Sequence, residues 1–352
     1  MMSPEELAAA LVTREKVAPL AAAGWERGGA REVGGATGVL FDLASVTKPM
    51  TALAFARAGI DRRTPLGDLV VEARGTASDR VPVELFLAHR AGLDAHRKLY
   101  APLLLDGGQP VDVAEALREA ASARRPDAVG DPPAEGFPPL YSDLGYVLAG
   151  VALARAVGVR DAGEAIGRLV LEPLGLSTRA GTVRELASRG VRGPFAPTET
   201  VDWRGGAVEG AVHDENAWAL TGHGGSGHAG IFGTVDAVLT FGRAVLDGLD
   251  GADGLEWLVR ERPGGTLRAG FDGKSEEGSS AGERMGSRAF GHLGFTGTSL
   301  WVDPDARIVV ALLTNRVCPT RDHVAIRAVR PWAHDRLFER AEAGGARGSE
   351  RV

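Results

Sequence analysis

Lysine is scarce in this chain: of 40 basic residues only 4 are lysine, and the rest are arginine. Cysteine is scarcer. Cys318 stands alone, which excludes an internal disulfide. No apolar run approaches the roughly 20 residues that span a bilayer. Neither sign of charge forms a long block, and the formal net charge of −6 argues against a nucleic-acid or anionic-membrane partner. The start lacks a secretory pattern, because Glu5 and Glu6 stand where a basic region belongs and the apolar run 7–12 stops at Thr13-Arg14-Glu15-Lys16. A cytoplasmic protein is therefore expected. What is present is apolar material, 44% of 352 residues, enough for two lobes or one large domain. No internal repeat is visible.

The scarcity of lysine gives weight to one of the four. Phe41-Asp42-Leu43-Ala44-Ser45-Val46-Thr47-Lys48-Pro49-Met50 reads as an apolar entry, then Ser-x-x-Lys, then an apolar helix to Ala58. Three positions apart on a helix, Ser45 and Lys48 share a face. A serine hydroxyl is a weak nucleophile until something takes its proton. Lysine in a poorly solvated place can shed its charge and accept or relay that proton, which arginine cannot. Random placement gives roughly 0.16 such matches, so the motif alone is modestly informative. The plainer reading is a capping serine and a surface lysine.

In chain order, Ser3-Pro4-Glu5-Glu6 carries a capping serine, a first-turn proline and a capping-box glutamate, so a helix runs to about Thr13. Residues 17–25 and 32–41 read as strands around Gly28-Gly29. Residues 83–89, 111–124, 143–157 and 163–171 read as helices, with a Pro/Gly-rich loop at 126–139. Residues 178–230 lack periodicity, which suggests wrapping around a site. A helix is expected over 236–249. Residues 290–302 and 307–314 form the clearest hairpin, turning at Asp303-Pro304-Asp305. A terminal helix over 322–342 bends or restarts at Pro331, and the last ten residues read as disordered.

Strands gather at the two chain ends and helices in the middle. The expected fold is α/β (α+β). An antiparallel sheet from residues 1–60 and 255–352 is flanked by helices, a mainly helical lobe, 61–254, is inserted, and the site lies in the crevice between them.

Two more stretches fit that crevice. Tyr141-Ser142-Asp143 opens a helix, and its phenol becomes a base if a cation such as Lys48 lowers its pKa. The plainer reading is a packed tyrosine and a Ser142 cap. Gly291-His292-Leu293-Gly294-Phe295-Thr296-Gly297-Thr298 is a glycine-rich strand that a substrate can approach closely, offering an N–H to an oxyanion beside the N–H of Ser45. The plainer reading is a bulged core strand with a hydrogen-bonded His292. His213, Asp214, His223 and His228 sit in a Gly-rich loop rather than on one helix face, so structural or site-edge roles are expected rather than a metal. Gly222–Gly230 lacks the Gly-Lys-Ser/Thr ending of a phosphate loop. No cofactor is expected. Arg204 and Arg316 are read as solvated or paired more readily than as anion binders.

Together these stretches resemble the serine β-lactamase and penicillin-binding protein superfamily, in which Ser-x-x-Lys, Tyr-x-Asn or Ser-x-Asn, and Lys-Thr-Gly meet in one cleft. The likeness is closest to its class C β-lactamase-like branch of esterases and D-amino-acid peptidases. Leu87-Ala88-His89-Arg90-Ala91-Gly92-Leu93, Glu172-Pro173-Leu174-Gly175-Leu176, 212–217, 228–232 and Leu313-Thr314-Asn315-Arg316 look like segments of that branch. The resemblance implies an acyl-enzyme on Ser45. Lys48 relays protons. Tyr141 is base and then donor to the leaving group. His292, Leu293 and Gly294 stand in the Lys-Thr-Gly place, with Phe295 N–H in the oxyanion hole. Two departures matter: Asp143 replaces an asparagine, and His292 replaces a lysine. Both move the expectation toward an ester or a non-carboxylated amide. The expected substrate is a small ester, amide or peptide. The alternative is a catalytically weak relative that binds or senses peptidoglycan fragments.

Overall fold

The computed structural model describes residues 1–105, 108–249 and 254–346. Its centre is a six-stranded sheet, antiparallel throughout: β1 Ala21–Arg27, β2 Ala30–Gly35, β3 Asp272–Gly273, β4 Phe290–Leu293, β5 Ser299–Asp303 and β6 Ile308–Thr314. The spatial order is β2-β1-β6-β5-β4-β3, so strands from both chain ends interleave. Leu300 pairs with Ala311 on one side and with His292 on the other.

Alternation along the strands explains why both faces are covered. Trp25, Val310, Leu312 and Trp301 point to one face, which packs on the terminal helices α1 (Pro4–Thr13) and α5 (Ile326–Ala346). Ala22, Val309, Ala311, Leu313, Leu300 and Phe290 point to the other, which packs on α4 (Val235–Leu249) and the inner core. A strand buried on both faces loses its polar half, hence the apolar run of β6. Helix α4 sits on the sheet through Gly242, where a Cβ would come within 2.6 Å of Val309. The boundary expected near residue 254 had put this helix in the inserted lobe.

The helical layer centres on α2 (Thr47–Arg57) and α3 (Asp143–Val157), with Val83–Leu87, Val113–Ser122 and Ala162–Ile166 around them. Residues 47 to 55 of α2 are all buried.

Several boundaries differ from the sequence reading. Residues 17–20 precede β1, and β2 ends at Gly35, because α1 crosses there: a Cβ on Gly34 would lie 2.1 Å from the Glu5 nitrogen. Phe41–Asp42 instead joins Phe232–Gly233 and Ala180–Gly181 in a separate small sheet. The expected strand 290–302 is two strands, divided by a turn at 294–298 that Gly294 closes by donating to the Thr298 carbonyl at 2.8 Å. Helix α5 starts later than expected, at Ile326, and runs unbroken through Pro331 to Ala346. Of the last ten residues, 343–346 belong to that helix and 347–352 lie outside the described residues. No described helix is long and apolar enough to cross a membrane.

Candidate active site

Ser45 follows a constrained turn. Strand Phe41–Asp42 runs into a short helical turn, Ala44–Val46, and then α2. Buried Asp42 accepts the N–H of Ala44 at 2.8 Å and of His213 at 2.7 Å. That clamp holds Ala44 at φ 47°, a left-handed backbone costing a residue with a side chain roughly 1 kcal/mol. Ser45 comes next and faces a cleft of about 530 Å³.

Lys48 lies one turn on, with none of its surface exposed. Its Nζ is 2.8 Å from Ser45 Oγ and 2.7 Å from Asp143 Oδ1. The same nitrogen lies 4.7 Å from the ring centre of Tyr141, whose phenol feels both Lys48 and Ser45. Tyr141 and Asp143 are held by the start of α3. Ser142 caps that helix by accepting the Gly145 N–H at 3.3 Å. His89 accepts the Ser142 N–H at 3.0 Å and stacks on the Tyr141 ring at 4.6 Å.

The sequence leaves two arrangements open, an uncharged Lys48 as base or relay, or a charged Lys48 that lowers the phenol. Burial pushes the Lys48 ammonium downward, but Asp143 and Tyr141 outweigh it, so Lys48 is raised and stays charged. Asp143 resists the upward push of burial because Lys48 and then His228 favour its charge, and it stays a carboxylate. Tyr141 is raised. Burial leads, the pull of Lys48 opposes it, and the Asp143 charge adds to the rise. Asp143 thus favours the charged lysine, while burial, with the Asp143 charge adding to it, favours the neutral phenol.

The opposite wall is the turn after β4. Thr296 and Thr298 hydroxyls donate to the carbonyls of Asp42 and Leu43 at 2.7 and 2.9 Å, tying this turn to the strand before Ser45. Gly294 is required there, since a Cβ would lie 2.0 Å from Thr298 Oγ1 and 2.5 Å from the Leu43 oxygen. Phe295, 47% exposed, sits between the His213 ring, 5.7 Å away, and the Arg316 guanidinium, 4.4 Å away. Gly294 and Phe295 line the cleft with Ser45, Tyr141 and Asp143. His292 does not. It is buried behind the wall, its Nδ1 2.8 Å from the Leu293 carbonyl oxygen, and burial first, then Lys48, push it down to about 3, so it is neutral.

The loop histidines have partners of their own. His228 lies 2.8 Å from Asp214 and 3.1 Å from Ser226, and His213 lies 3.0 Å from Glu199. Arg204 donates to the carbonyls of Val212 and His213 at 2.9 and 3.1 Å, fixing the loop whose His213, Asp214 and Ala229 border the cleft. Sequence reasoning passed over His89, although it stands in the quoted segment before Gly92. It also passed over Arg327 and Arg330, which carry no motif and reach the cleft only through the placing of α5.

Comparison with known proteins follows the same lines. The β-lactamase family profile matches residues 5–331. A protein of Salmonella gallinarum provisionally named a D-alanyl-D-alanine carboxypeptidase is 27% identical over 199 residues, covering 50% of this chain and 45% of that protein. The chain thus matches about half the length of such curated relatives. Among solved structures, a β-lactamase from Mycobacterium bovis superposes with TM-score 0.60 at 22% identity, covering 92% of this chain and 96% of that one. EstCE1, a hydrolase with promiscuous acyltransferase activity, gives 0.64 at 19% identity, covering 92% and 96%. These two likenesses speak for the fold.

Proposed function

The chain belongs to the β-lactamase family, and on that premise we propose that it is a serine hydrolase that carries its acyl group on Ser45. The substrate is an ester or amide, of the carboxylesterase, β-lactamase or D-Ala-peptidase kind. The observation that carries this reading is the chain Ser45–Lys48–Asp143, with contacts of 2.8 and 2.7 Å, under the Tyr141 phenol at a cleft.

In the proposed acylation the substrate carbonyl meets Ser45 with its oxygen between the N–H groups of Ser45 and Phe295. As Ser45 Oγ bonds to the carbonyl carbon, Lys48 Nζ gives a proton to Asp143 and takes the Ser45 proton on the lone pair so freed. Lys48 is an ammonium before and after the step, and Asp143 ends it protonated. Tyr141, a neutral phenol, gives its proton to the departing oxygen or nitrogen and recovers one from Asp143 through Lys48. Water then replaces the leaving group and the steps reverse. Gly294 keeps the Phe295 N–H facing the cleft, and His292 supports that wall rather than touching substrate. We also propose the two-part organisation, residues 1–60 with 255–352 as the sheet part and 61–254 as the inserted part, in which α4 packs back on the sheet.

One observation favours the weaker reading, a relative that binds peptidoglycan fragments without turning them over: neither Lys48 nor Tyr141 is a free base at rest. A fluorophosphonate separates the two. The hydrolase reading expects one mass adduct on Ser45, absent in Ser45→Ala. Folded protein that takes up no adduct supports the binder.

A further inference from the structure

Hydrolysis through an acyl-enzyme needs a base twice, once for the serine and once for the water that releases the acyl group. Simple reversal of acylation asks Tyr141, a phenol that burial holds neutral, to lose its proton before it can take one from water. The cleft contains a base that needs no such step. Of the chain's 8 histidines five are buried, and of the other three only His96 borders the cleft, with Ser45, Tyr141 and Asp143. Its side chain is 45% exposed, and its Nδ1 lies 4.0 Å from Asp143 Oδ2. Among the described residues the ring has no other polar partner. Asp143 holds Lys48 through its other oxygen, at 2.7 Å.

The backbone around His96 is tied on both sides. The Ala95 carbonyl accepts the Asp143 N–H at 2.9 Å, and the Asp94 carbonyl accepts the Ser142 hydroxyl at 2.6 Å, which fastens the segment to the start of α3. Asn216, with none of its surface exposed, donates from Nδ2 to the Arg97 carbonyl at 2.8 Å and accepts the Tyr100 N–H at 3.2 Å.

We infer that His96 is the base of deacylation and takes the proton of the water that attacks the acyl group on Ser45. The inference rests on Ser45 being the acylated residue and assigns the second half of that reaction. The Asp143 carboxylate favours the tautomer with hydrogen on Nδ1, which leaves the Nε2 lone pair for the water. The 4.0 Å separation is about 1 Å beyond a hydrogen bond, and a turn of the exposed ring or one bridging water closes it. As the water oxygen bonds to the acyl carbon, its proton passes to Nε2. As the bond from that carbon to Ser45 Oγ breaks, Oγ takes a proton from Lys48 Nζ. The imidazolium then returns one through Asp143 to Lys48, so every group ends as it began and the acid departs. Acylation does not pass through His96, so kcat/KM keeps the pH form that Asp143 sets.

4-Nitrophenyl acetate tests this on the intact protein. The burst of 4-nitrophenol reads acylation, and the decay of the acetyl adduct on Ser45, followed by mass after the ester is removed, reads deacylation. His96 is exposed, so His96→Ala and His96→Gln should fold and melt cooperatively. Both are expected to keep the burst and the rate of fluorophosphonate labelling, and to lose the adduct roughly 10²-fold more slowly than the parent. Imidazole added to the preformed acyl-enzyme should restore the decay in His96→Ala, where the vacated space admits it. A merely structural role would slow burst and decay together and would not respond to imidazole. An adduct that decays on both variants as fast as on the parent would overturn the role of His96 and leave the Ser45 reading standing. A parent that forms no adduct and takes up no fluorophosphonate would sink the Ser45 reading and this inference with it.

Discussion

Replacing Asp143 by asparagine removes one charge and leaves the volume almost unchanged. Lys48 has no exposed surface, and its Nζ is left with Ser45 Oγ and the Tyr141 phenol. Breaking a fully buried ion pair from one side costs about 3–5 kcal/mol. Asp143 keeps 23% of its side-chain surface in contact with solvent, so the expected loss is nearer 2 kcal/mol. The sign with pH is determinate. In the parent chain the pKa of Lys48 is raised by its partners, so its stabilisation is complete below the unfolded value of 10.5 and disappears as pH rises through the folded value. In Asp143→Asn the largest influence left is burial, which depresses Lys48, so the folded state is penalised at neutral pH and the penalty vanishes toward 10.5. Urea unfolding at neutral pH and near pH 10 should therefore show a stability gap that narrows with alkali. Activity should change in form. The parent needs Asp143 ionised and has no acid limb near neutrality. The variant needs Lys48 uncharged and gains one, below which Ser45 reacts slowly. A gap that stays constant with pH, or a pH–rate profile of unaltered shape, would refute the assignment of Asp143 as partner and proton acceptor.

Other perturbations probe the rest of the site. Burial opposes, but hydrogen bonds from His213 and Arg321 hold Glu199 down at about 2 against an ordinary 4.5. Its stabilisation, about 3 kcal/mol, is present above 4.5 and lost as pH falls through 2. Denaturant titrations should show the stability difference between parent and Glu199→Gln closing over that interval, and a difference that persists at the acid end contradicts the pairing. Gly294→Ala should displace the turn bearing the Phe295 N–H, because its Cβ meets the Leu43 oxygen at 2.5 Å. The rate of Ser45 labelling is expected to fall roughly 10²-fold in protein that still melts cooperatively. Undiminished labelling would remove Phe295 N–H from the oxyanion hole.

Elements whose reason is local were visible in the amino-acid sequence. Ser3 and Glu6 form the expected capping box, and α3 occupies the expected 143–157 because its apolar run is bounded by a capping Ser142 and a left-handed Gly158. The β5–β6 hairpin turns at Asp303, whose carboxylate takes the N–H groups of Asp305 and Ala306. Elements whose reason is distant were not. Nothing within 290–302 says that Gly294 must leave the strand. The cause is the Leu43 carbonyl, some 250 positions earlier. Nothing within 235–249 says which layer α4 joins, because that depends on small Gly242 meeting Val309 and Leu300. Likewise Ser45, Lys48 and Tyr141 stand out as motif members, whereas Arg330 reaches the cleft only through the placing of α5.

The two departures from the family pattern are best understood together. The pattern that the sequence resembles has two ammonium groups and a neutral amide around the serine. Here one ammonium, Lys48, faces one carboxylate, Asp143, and the second cation's place holds a neutral imidazole. The immediate surroundings of Ser45 therefore carry no net charge where two positive charges would stand. Burial first, with the Asp143 charge adding to it, raises Tyr141, and a neutral phenol suits donation to a leaving group better than abstraction of a proton. A substrate anion close to the reacting carbonyl would find little there.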